Sequence, residues 1–246
     1  MYNNSLSDGI ETSSLLAPTE TDLSQQMISG TNSIARSPKE SLFPELPSVN
    51  SKAKRFIDII GALVGLSLTG LFLPLIATLI YFDNPGPIVF SQTRVGLHGQ
   101  KFRIWKFRSM IKDAEKYRHL VTNKAQGHFF KNPNDPRITR IGAILRRTSL
   151  DEFPQFLNVL KGDMSLVGTR PPTPEEVSQY LPHHFQRLQV KPGLTGEWQV
   201  NGRSSIQNFE EVVKLDVFYQ QKWSVVYDLK MILKTVLVVI KKQGAC

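Results

Sequence analysis

The chain has 246 residues and a formal net charge of +9, with 30 lysines and arginines against 21 aspartates and glutamates. Hydrophobic residues make up 41% of the sequence, which excludes an intrinsically disordered chain. The single cysteine is Cys246, which excludes an internal disulfide framework and a cysteine-based zinc site. The excess of basic residues favours an anionic partner such as a phosphate, a nucleic acid or an anionic membrane.

The first part of the chain has the composition of a tail. Residues 1–51 are rich in serine, threonine, asparagine and proline and show no sustained hydrophobic period. Residues 1–55 carry a net charge of −1, so the rest of the chain holds the whole positive excess. The segment also lacks the basic and apolar regions of a signal peptide. We therefore predict a disordered polar tail over residues 1–51.

A long apolar segment follows the tail, with 24 uncharged residues from Ile59 to Phe82. A helix of that length measures about 36 Å against roughly 30 Å of bilayer hydrocarbon, which favours a membrane helix over a buried core helix. Pro74 lies inside the segment and removes a backbone hydrogen bond. Basic residues flank both ends, and such residues prefer the cytoplasmic side. We predict a re-entrant membrane helix over residues 52–84 with its hinge at Pro74, and a single membrane crossing is the alternative.

The middle of the chain predicts a β-hairpin and less regular segments. Residues 88–95 and 102–107 alternate in polarity, and a glycine-flanked turn separates them. The remaining predictions are a charged helix from Ser109 to Lys124, a loop from His128 to Arg140, and a turn-rich segment from Gly196 to Arg203, where Arg203 is available to a phosphate.

Two amphipathic helices are predicted near the end of the chain. Phe209, Val212, Val213 and Val217 recur at helical spacing. The last helix runs from about Val225 to Lys242 and has a wide apolar face opposite its lysines. Such a helix either lies on a membrane surface or packs against a protein core.

Asp151 and Glu152 lie in the segment richest in residues that can carry chemistry. The run Ser149-Leu-Asp-Glu152 has the spacing of a capping box, in which Glu152 serves only to stabilise the start of a helix. Asp151 then lies at or beside a helix N-terminus, where the helix dipole favours the ionised carboxylate. A carboxylate in that position is a candidate metal ligand or nucleophile.

Several arginines accompany this pair of carboxylates, and guanidinium groups suit bidentate binding of phosphate. Carboxylates with arginines indicate phosphoryl chemistry assisted by a divalent cation, although basic runs are also typical of solvated surfaces. There is no P-loop or dinucleotide-binding motif. His183 and His184 are predicted to be helix-surface side chains rather than metal ligands. The arginines are Arg137, Arg140, Arg146, Arg147 and Arg170.

Seven motifs link the chain to a known family, in order and over about residues 52–245. They are Lys54-Arg-Phe-Ile-Asp58, Gly86-Pro-Ile-Val-Phe-Ser-Gln-Thr-Arg-Val-Gly96, Lys106-Phe-Arg-Ser-Met110, Asp135-Pro-Arg-Ile-Thr-Arg140, Arg146-Arg-Thr-Ser-Leu-Asp-Glu152, Asn158-Val-Leu-Lys-Gly-Asp-Met-Ser-Leu-Val-Gly168 and Lys191-Pro-Gly-Leu-Thr-Gly196. Together they resemble the bacterial sugar transferases, the monotopic polyprenyl-phosphate phosphoglycosyltransferases.

The resemblance implies an enzyme that transfers a sugar 1-phosphate from a UDP-sugar to undecaprenyl phosphate and releases UMP. This is the first membrane step in the synthesis of an exopolysaccharide or another surface glycan. The resemblance further implies that Asp151 is the nucleophile, that it forms a covalent aspartyl phosphosugar intermediate, and that Glu152 is its partner. It also implies Mg²⁺ or Mn²⁺ as the cofactor, with Asp151 as a metal ligand.

The family's supporting cations correspond to Lys106, Arg146 and Arg170, and we add Arg137 and Arg147 as candidate phosphate-binding residues. The implied fold is α+β and mainly helical, with a re-entrant helix broken at Pro74, a β-hairpin and interfacial amphipathic helices. Residues 85–246 are then a cytoplasmic catalytic domain at the bacterial inner membrane. The expected partners are the UDP-sugar, undecaprenyl phosphate and membrane lipid, without nucleic acid; a homodimer is left open.

Three features depart from the family pattern. The usual Gly-Pro-Arg-Pro is Gly168-Thr-Arg-Pro171 here, so the loop around Arg170 has one proline fewer. Leu73 precedes Pro74 where some members have a serine, which removes a side-chain hydrogen bond at the hinge. Longer relatives carry a multispan N-terminal domain, and only the polar tail precedes the core here, so we predict a small single-module form.

Two other functions are compatible with parts of the sequence. A basic, membrane-anchored binding protein without catalytic activity accounts for the charge and the apolar helix. The basic residues, however, are not interleaved with a platform of stacking aromatic side chains. A glycosyltransferase that moves the sugar alone is disfavoured because we find no Asp-x-Asp pair suited to that role. The sequence does not indicate which sugar is transferred.

Overall fold

A computed structural model of the protein describes residues 46–123, 127, 132, 134–202, 206 and 208–240. Most of the predicted polar tail, most of residues 128–133, Arg203 and Lys242 lie outside the described residues. The end of the tail that is described contains a helix of one turn, Pro47–Asn50.

The described chain is mainly helical, as predicted, with two small two-stranded sheets. Short 3-10 segments at Leu97–Gly99, Ala114–Leu120, Leu150–Gln155 and Pro182–Gln189 connect the larger elements. The helices are α1 (Pro47–Asn50), α2 (Lys52–Asp83), α3 (Arg140–Arg147), α4 (Phe156–Lys161), α5 (Pro174–Val177), α6 (Glu197–Gly202), α7 (Phe209–Lys222) and α8 (Val225–Ile240). The strands are β1 (Val89–Val95), β2 (Lys101–Phe107), β3 (Ser165–Val167) and β4 (Gly193–Thr195).

Helix α2 is one continuous helix of 32 residues, so the break expected at Pro74 is wrong and the helix runs through that residue. Its first turn is capped by Ser51, whose hydroxyl accepts a hydrogen bond from the Lys54 backbone N–H. The buried Lys54 ammonium donates to Asp228 Oδ2 at 2.6 Å and to the Val167 carbonyl at 2.9 Å. One turn later Asp58 accepts from the Ser165 hydroxyl and the Leu166 N–H, both at 2.9 Å. The start of α2 is therefore bonded to β3 and α8.

The end of α2 is bonded to other parts of the same domain. Ile76 and Ile80 are buried against Phe107 and Leu145. Asp83 Oδ2 accepts a hydrogen bond from the Ile141 N–H at 2.9 Å. Both ends of the helix thus contact one continuous packed domain, since β2 and α3 carry the partners at this end.

The rest of α2 presents large apolar side chains to the surroundings. Phe82 is 80% exposed, Leu71 70% and Leu75 59%. Among the described residues, α2 is the one helix that is long and apolar enough to cross a membrane. Exposure of so much contiguous apolar surface in water is unfavourable, and a lipid environment removes that cost.

Gly61 and Gly65 allow α2 to approach the domain closely, and we expect a side chain at Gly65 to push the helix and the domain apart. A Cβ at Gly65 would overlap the ring of Phe156, whereas a Cβ at Gly70 would meet no atom within 4 Å. Gly65→Ala is therefore expected to destabilise the fold by about 1–3 kcal/mol through overpacking. The matched variant Gly70→Ala should be neutral, and thermal unfolding of both in the same detergent tests the difference. Equal melting temperatures would contradict the close packing.

The predicted β-hairpin is confirmed, with β1 and β2 antiparallel and Val89 opposite Phe107. The predicted charged helix from Ser109 to Lys124 is wrong over most of its length, because only Ala114–Leu120 is helical and it forms a 3-10 segment. Asp113 adopts a left-handed conformation with φ 59°, which interrupts the helix before this segment. Met110 instead pairs with Ile138 in an isolated bridge.

Helices α7 and α8 confirm the two predicted amphipathic helices. Phe209, Val212 and Val213 of α7 are buried, as their spacing predicts. In α8, Asp228 and Met231 pack into the domain, whereas most of the apolar side chains predicted to form a face are exposed. The exposed side chains include Val226, Leu229, Leu233, Val236 and Leu237.

Candidate active site

The two carboxylates lie on the 3-10 turn Leu150–Gln155, directly after α3. Asp151 is buried, with 6% of its surface exposed. The predicted capping box is wrong: Ser149 has φ 56° and its side chain makes no capping hydrogen bond to this turn. An N-cap residue needs an extended backbone to aim its side chain at the helix, and a left-handed one does not provide it. Glu152 instead accepts a hydrogen bond from Lys106 Nζ at 2.8 Å.

Lys106 comes from β2, so the hairpin supplies one wall of the site. Its neighbour along the chain, Phe107, is buried and anchors the strand in the core. The Lys106–Glu152 pair is partly exposed, with side chains 27% and 22% accessible. The pair joins the hairpin to the turn that carries Asp151.

Helix α3 positions Arg146 by packing closely against Ser109, which lies just after the end of β2. Thr139 caps the helix by accepting from the Gly142 N–H at 3.0 Å. A Cβ at Gly142 would overlap the Ser109 carbonyl oxygen, so glycine is needed for this contact. Arg146 Nε then donates to the Ser109 hydroxyl at 2.9 Å. Arg147, one residue later, is exposed.

Arg137 faces the site but is paired with Asp135. Its Nε donates to Asp135 Oδ1 at 2.9 Å and its Nη2 to Oδ2 at 2.7 Å. These hydrogen bonds hold the pKa of Asp135 below its ordinary value. The Asp135 carboxylate offsets the charge of Arg137. Arg137 therefore attracts a phosphate less strongly than an unpaired arginine does.

Arg170 belongs to a second charged cluster. The cluster includes Arg94 and Glu176, two residues that the sequence analysis did not single out. Glu176 Oε2 lies 3.3 Å from Arg170 Nη1 and 3.9 Å from Arg94 Nη1. Burial, with Arg170 nearby, lowers the pKa of Arg94 to about 10. Burial opposes ionisation of Glu176, but Arg170, the Thr173 N–H and Arg94 hold its pKa below the ordinary value. Arg94 lies within one of the family-like motifs, and the capping-box spacing Thr173-Pro-Glu-Glu176, which the structure forms, is a local signal for Glu176.

These groups line one cavity of about 700 Å³. It contains both carboxylates and four of the five predicted phosphate-binding residues, Lys106, Arg137, Arg146 and Arg170. Arg147 is not among the residues that line it, and Pro74 lies in α2 away from it. The fold thus brings together predicted site residues that are up to 64 positions apart in the sequence, as Lys106 and Arg170 are.

The segment predicted to be turn-rich from Gly196 to Arg203 forms α6 over Glu197–Gly202. Before it, β4 pairs in parallel with β3, and Gly168 N–H donates to the Thr195 carbonyl at 2.9 Å. This pairing brings Trp198 into the wall of the cavity. Trp198 is a further site residue that the sequence analysis did not single out.

His183 and His184 are not both surface side chains as predicted, since His184 is completely buried. Each places its Nε2 within 3.0 Å of a carboxylate oxygen of Glu210. His184 Nδ1 accepts from the Leu181 N–H at 3.0 Å, so the proton of the neutral ring is on Nε2. That proton points at Glu210 and occupies the atom that a metal ion would need, which favours a structural hydrogen bond over a metal site.

Comparison with known proteins finds one matching family model and several related sequences. The model of the bacterial sugar transferase family matches residues 49–242. Galactosyl transferase CpsE of Streptococcus agalactiae is 52% identical over 195 residues, which are 78% of this chain and 43% of that protein. The UDP-glucose:undecaprenyl-phosphate glucose-1-phosphate transferase of Escherichia coli is 41% identical over 199 residues, 78% of this chain and 41% of that protein.

A shorter relative matches over most of its own length. The exopolysaccharide production protein ExoY of Rhizobium meliloti is 35% identical over 211 residues, which are 80% of this chain and 89% of that protein. The chain therefore spans less than half the length of the first two relatives and about nine-tenths of the third. The matched region contains every residue of the cavity described above.

Proposed function

The chain belongs to the bacterial sugar transferase family, and we propose that it transfers a sugar 1-phosphate from a UDP-sugar to undecaprenyl phosphate with release of UMP. The name of the Escherichia coli relative supports both substrates. The name of the Rhizobium relative supports a role in exopolysaccharide production. The observation that carries the proposal is the buried Asp151 in a cavity that also holds Glu152, Lys106 and arginines.

In the first proposed step, a carboxylate oxygen of Asp151 attacks the phosphorus that bears the sugar. The bond from that phosphorus to the bridging oxygen breaks, and the oxygen leaves on UMP. In the second step, a phosphate oxygen of undecaprenyl phosphate attacks the phosphorus of the aspartyl phosphosugar. The Asp151–phosphorus bond breaks, which restores the carboxylate and forms the lipid diphosphate sugar. Two anionic substrates can then use one site in turn.

The cations around Asp151 are held in place before substrate arrives, which supports phosphoryl transfer. Arg146 is bonded to Ser109, Arg170 to Glu176 and Lys106 to Glu152. Preorganised donors stabilise charge that develops on the transferring phosphoryl group without paying for reorganisation during the reaction. Arg147 is exposed and outside the cavity, so a role in binding the donor phosphates is not supported for it.

The carboxylates fit a hard divalent cation, because Mg²⁺ and Mn²⁺ take oxygen ligands and Asp151 and Glu152 both line the cavity. We propose that Asp151, with Glu152 beside it, would hold the ion. A bound divalent cation would neutralise charge on the donor diphosphate and on the leaving UMP.

Chelation of divalent cations with EDTA is expected to lower UMP release by about 100-fold, because the ion supplies several kcal/mol of charge stabilisation. Addition of Mg²⁺ in excess over the chelator should restore the rate. The protein should stay folded at the assay temperature throughout, which separates loss of the ion from unfolding. A rate that is unchanged in EDTA would contradict a metal-assisted reaction.

The packing of α2 supports a re-entrant rather than a spanning helix. Lys54 and Asp58 near its start, and Ile80 and Asp83 near its end, all contact one packed domain. A helix that crossed the bilayer would place its two ends on opposite sides. We therefore propose that α2 enters one leaflet around Pro74, that the exposed face of α8 lies at the same membrane surface, and that the domain is on the cytoplasmic face of the inner membrane.

The test of the function uses purified protein in nanodiscs with undecaprenyl phosphate, Mg²⁺ and a panel of UDP-sugars. We expect UMP to appear only when the lipid, the cation and a suitable donor are all present. Release of UDP would indicate transfer of the sugar alone. Binding of nucleic acid at physiological ionic strength without any nucleotide release would indicate a basic binding protein instead.

A further inference from the structure

A second, smaller cavity of about 80 Å³ adjoins the active-site cavity. Lys106, Glu152 and Trp198 line both cavities, so the two are neighbours. Gln155 and Gln199 line the smaller one alone. Gln155 lies on the same 3-10 turn as Asp151, so one short element lines the small cavity and carries the residue proposed to attack phosphorus.

Four polar atoms in this wall are buried without a hydrogen-bond partner in the part of the chain that the structure describes. They are Nε of Arg94, Nε2 of Gln155, Nε1 of Trp198 and Oε1 of Gln199. Gln155 is 3% exposed and Trp198 7%. Buried polar groups in folded proteins are normally paired, and an unpaired one costs about 1–3 kcal/mol. A group of four beside an active site indicates a ligand that supplies the missing hydrogen bonds.

The kinds of atom identify the chemistry of that ligand. The guanidinium of Arg94, the amide of Gln155 and the indole of Trp198 are donors, whereas the carbonyl oxygen of Gln199 is an acceptor. A phosphate only accepts hydrogen bonds and would leave Gln199 unpaired. A sugar hydroxyl both donates and accepts, so hydroxyls on one edge of a sugar ring can pair with donors and acceptor alike.

The backbone segments around the small cavity pack closely against one another. A Cβ at Gly193 would overlap the Gly168 backbone, and a Cβ at Gly196 would overlap the Gly168 carbonyl oxygen. Gln199 Nε2 donates to the Leu194 carbonyl at 3.3 Å, which orients its amide. The unpaired atoms belong to residues that line the cavity, and rotation of their side chains would bring them to a bound hydroxyl. The cavity admits an edge of a sugar and not a whole ring.

We propose that this cavity is the subsite for a hydroxyl-bearing edge of the donor sugar, and that Gln155, Trp198 and Gln199 determine which hydroxyl pattern is accepted. The inference rests on the proposed function, because it requires a UDP-sugar in the larger cavity. It adds three specificity-determining residues and explains why their polar atoms are unpaired without a ligand.

The experiment compares Gln155→Met and Trp198→Phe with the wild type and with Gln186→Met, an exposed glutamine on another segment. Donors are UDP-glucose, UDP-galactose and the deoxy analogues that lack one hydroxyl in turn. The kcat/KM for UMP release, the inhibition constant of UDP and the melting temperature are measured for each protein. Titration calorimetry compares the binding of UDP-sugar and UDP.

We expect each site variant to lower kcat/KM for the preferred donor about tenfold, the loss of one hydrogen bond. The loss should disappear with the analogue that lacks the matching hydroxyl. Inhibition by UDP should be unchanged. The melting temperature of Gln155→Met should not fall, because removing an unpaired buried polar group does not break a bond. Gln186→Met should behave as the wild type.

Other outcomes overturn the subsite. Equal weakening of UDP and UDP-sugar would mean that the cavity binds nucleotide or phosphate. A fall in melting temperature that accompanies equal losses for all donors would mean a structural role, and unchanged donor selectivity would mean no role. If the wild type released no UMP from any donor, the proposed function would fail. Calorimetry would then still decide the subsite, through an affinity difference between UDP-sugar and UDP that Trp198→Phe either removes or leaves intact.

Discussion

Asp151→Asn is expected to reduce lipid-dependent UMP release by about 10⁴-fold or more, because an amide oxygen is a far weaker nucleophile than a carboxylate. The substitution keeps the size of a side chain that is 6% exposed, so the fold and membrane association should persist. The rate of UMP release with undecaprenyl phosphate in nanodiscs measures the effect. Asp163→Asn is the matched control, because its side chain accepts a hydrogen bond from Asn158 away from the cavity.

The intermediate provides a second readout for the same variant. Wild-type protein with UDP-sugar but no lipid should release one UMP per chain and gain the mass of a sugar phosphate. Asp151→Asn should show neither. Glu152→Gln should retain the mass gain but react more slowly, because its side chain contacts Lys106 and is proposed to support the reaction. Full turnover by Asp151→Asn would remove Asp151 as the nucleophile.

Asp216→Ala is expected to destabilise the protein by about 3–5 kcal/mol, because it leaves the Arg187 guanidinium buried without its carboxylate. Arg187 Nε donates to Asp216 Oδ2 at 2.7 Å, and the two side chains are only 2% and 1% exposed. Burial disfavours the charged form of Arg187, but the neighbouring Asp216 carboxylate stabilises that form and raises the pKa of Arg187. Thermal unfolding in detergent should show a marked fall in melting temperature.

A double variant separates the lost charge pair from lost packing. Arg187→Met with Asp216→Leu replaces both charges by apolar side chains, which is often close to neutral. Its melting temperature should therefore lie above that of Asp216→Ala. Arg187 also donates to the Tyr180 hydroxyl at 2.6 Å, so recovery should be incomplete. A single variant as stable as the wild type would show that the pair contributes nothing.

Much of the fold followed from local patterns in the sequence. The alternation in residues 88–95 and 102–107 predicted the hairpin, and the spacing of Phe209, Val212 and Val213 predicted α7. These predictions succeeded because each element buries one face, and the apolar residues of that face recur at a regular spacing in the sequence. The charged helix from Ser109 to Lys124 failed because charge alone carries no such period, and Asp113 turns the backbone.

The site shows the same division. Asp151, Glu152 and the arginines were found because their residue types and motifs indicate phosphoryl chemistry. The capping box was a wrong interpretation of Ser149 and Glu152, since a four-residue spacing does not reveal that Lys106, 46 residues away, binds the carboxylate. Glu176 had a local signal in the capping-box spacing of Thr173-Pro-Glu-Glu176, whereas the burial of His184 had none.

The sequence by itself therefore determined the family, the candidate nucleophile and the positions of α2, the β-hairpin, α7 and α8, because these depend on residue identity and short-range period. Tertiary structure alone decided which cations share a cavity, that both ends of α2 meet one domain, and that Gln155, Trp198 and Gln199 surround a small polar space. Those facts depend on contacts between residues far apart in the chain. Backbone approaches at glycines such as Gly142 and Gly193 create them, and a one-dimensional pattern does not encode such distances.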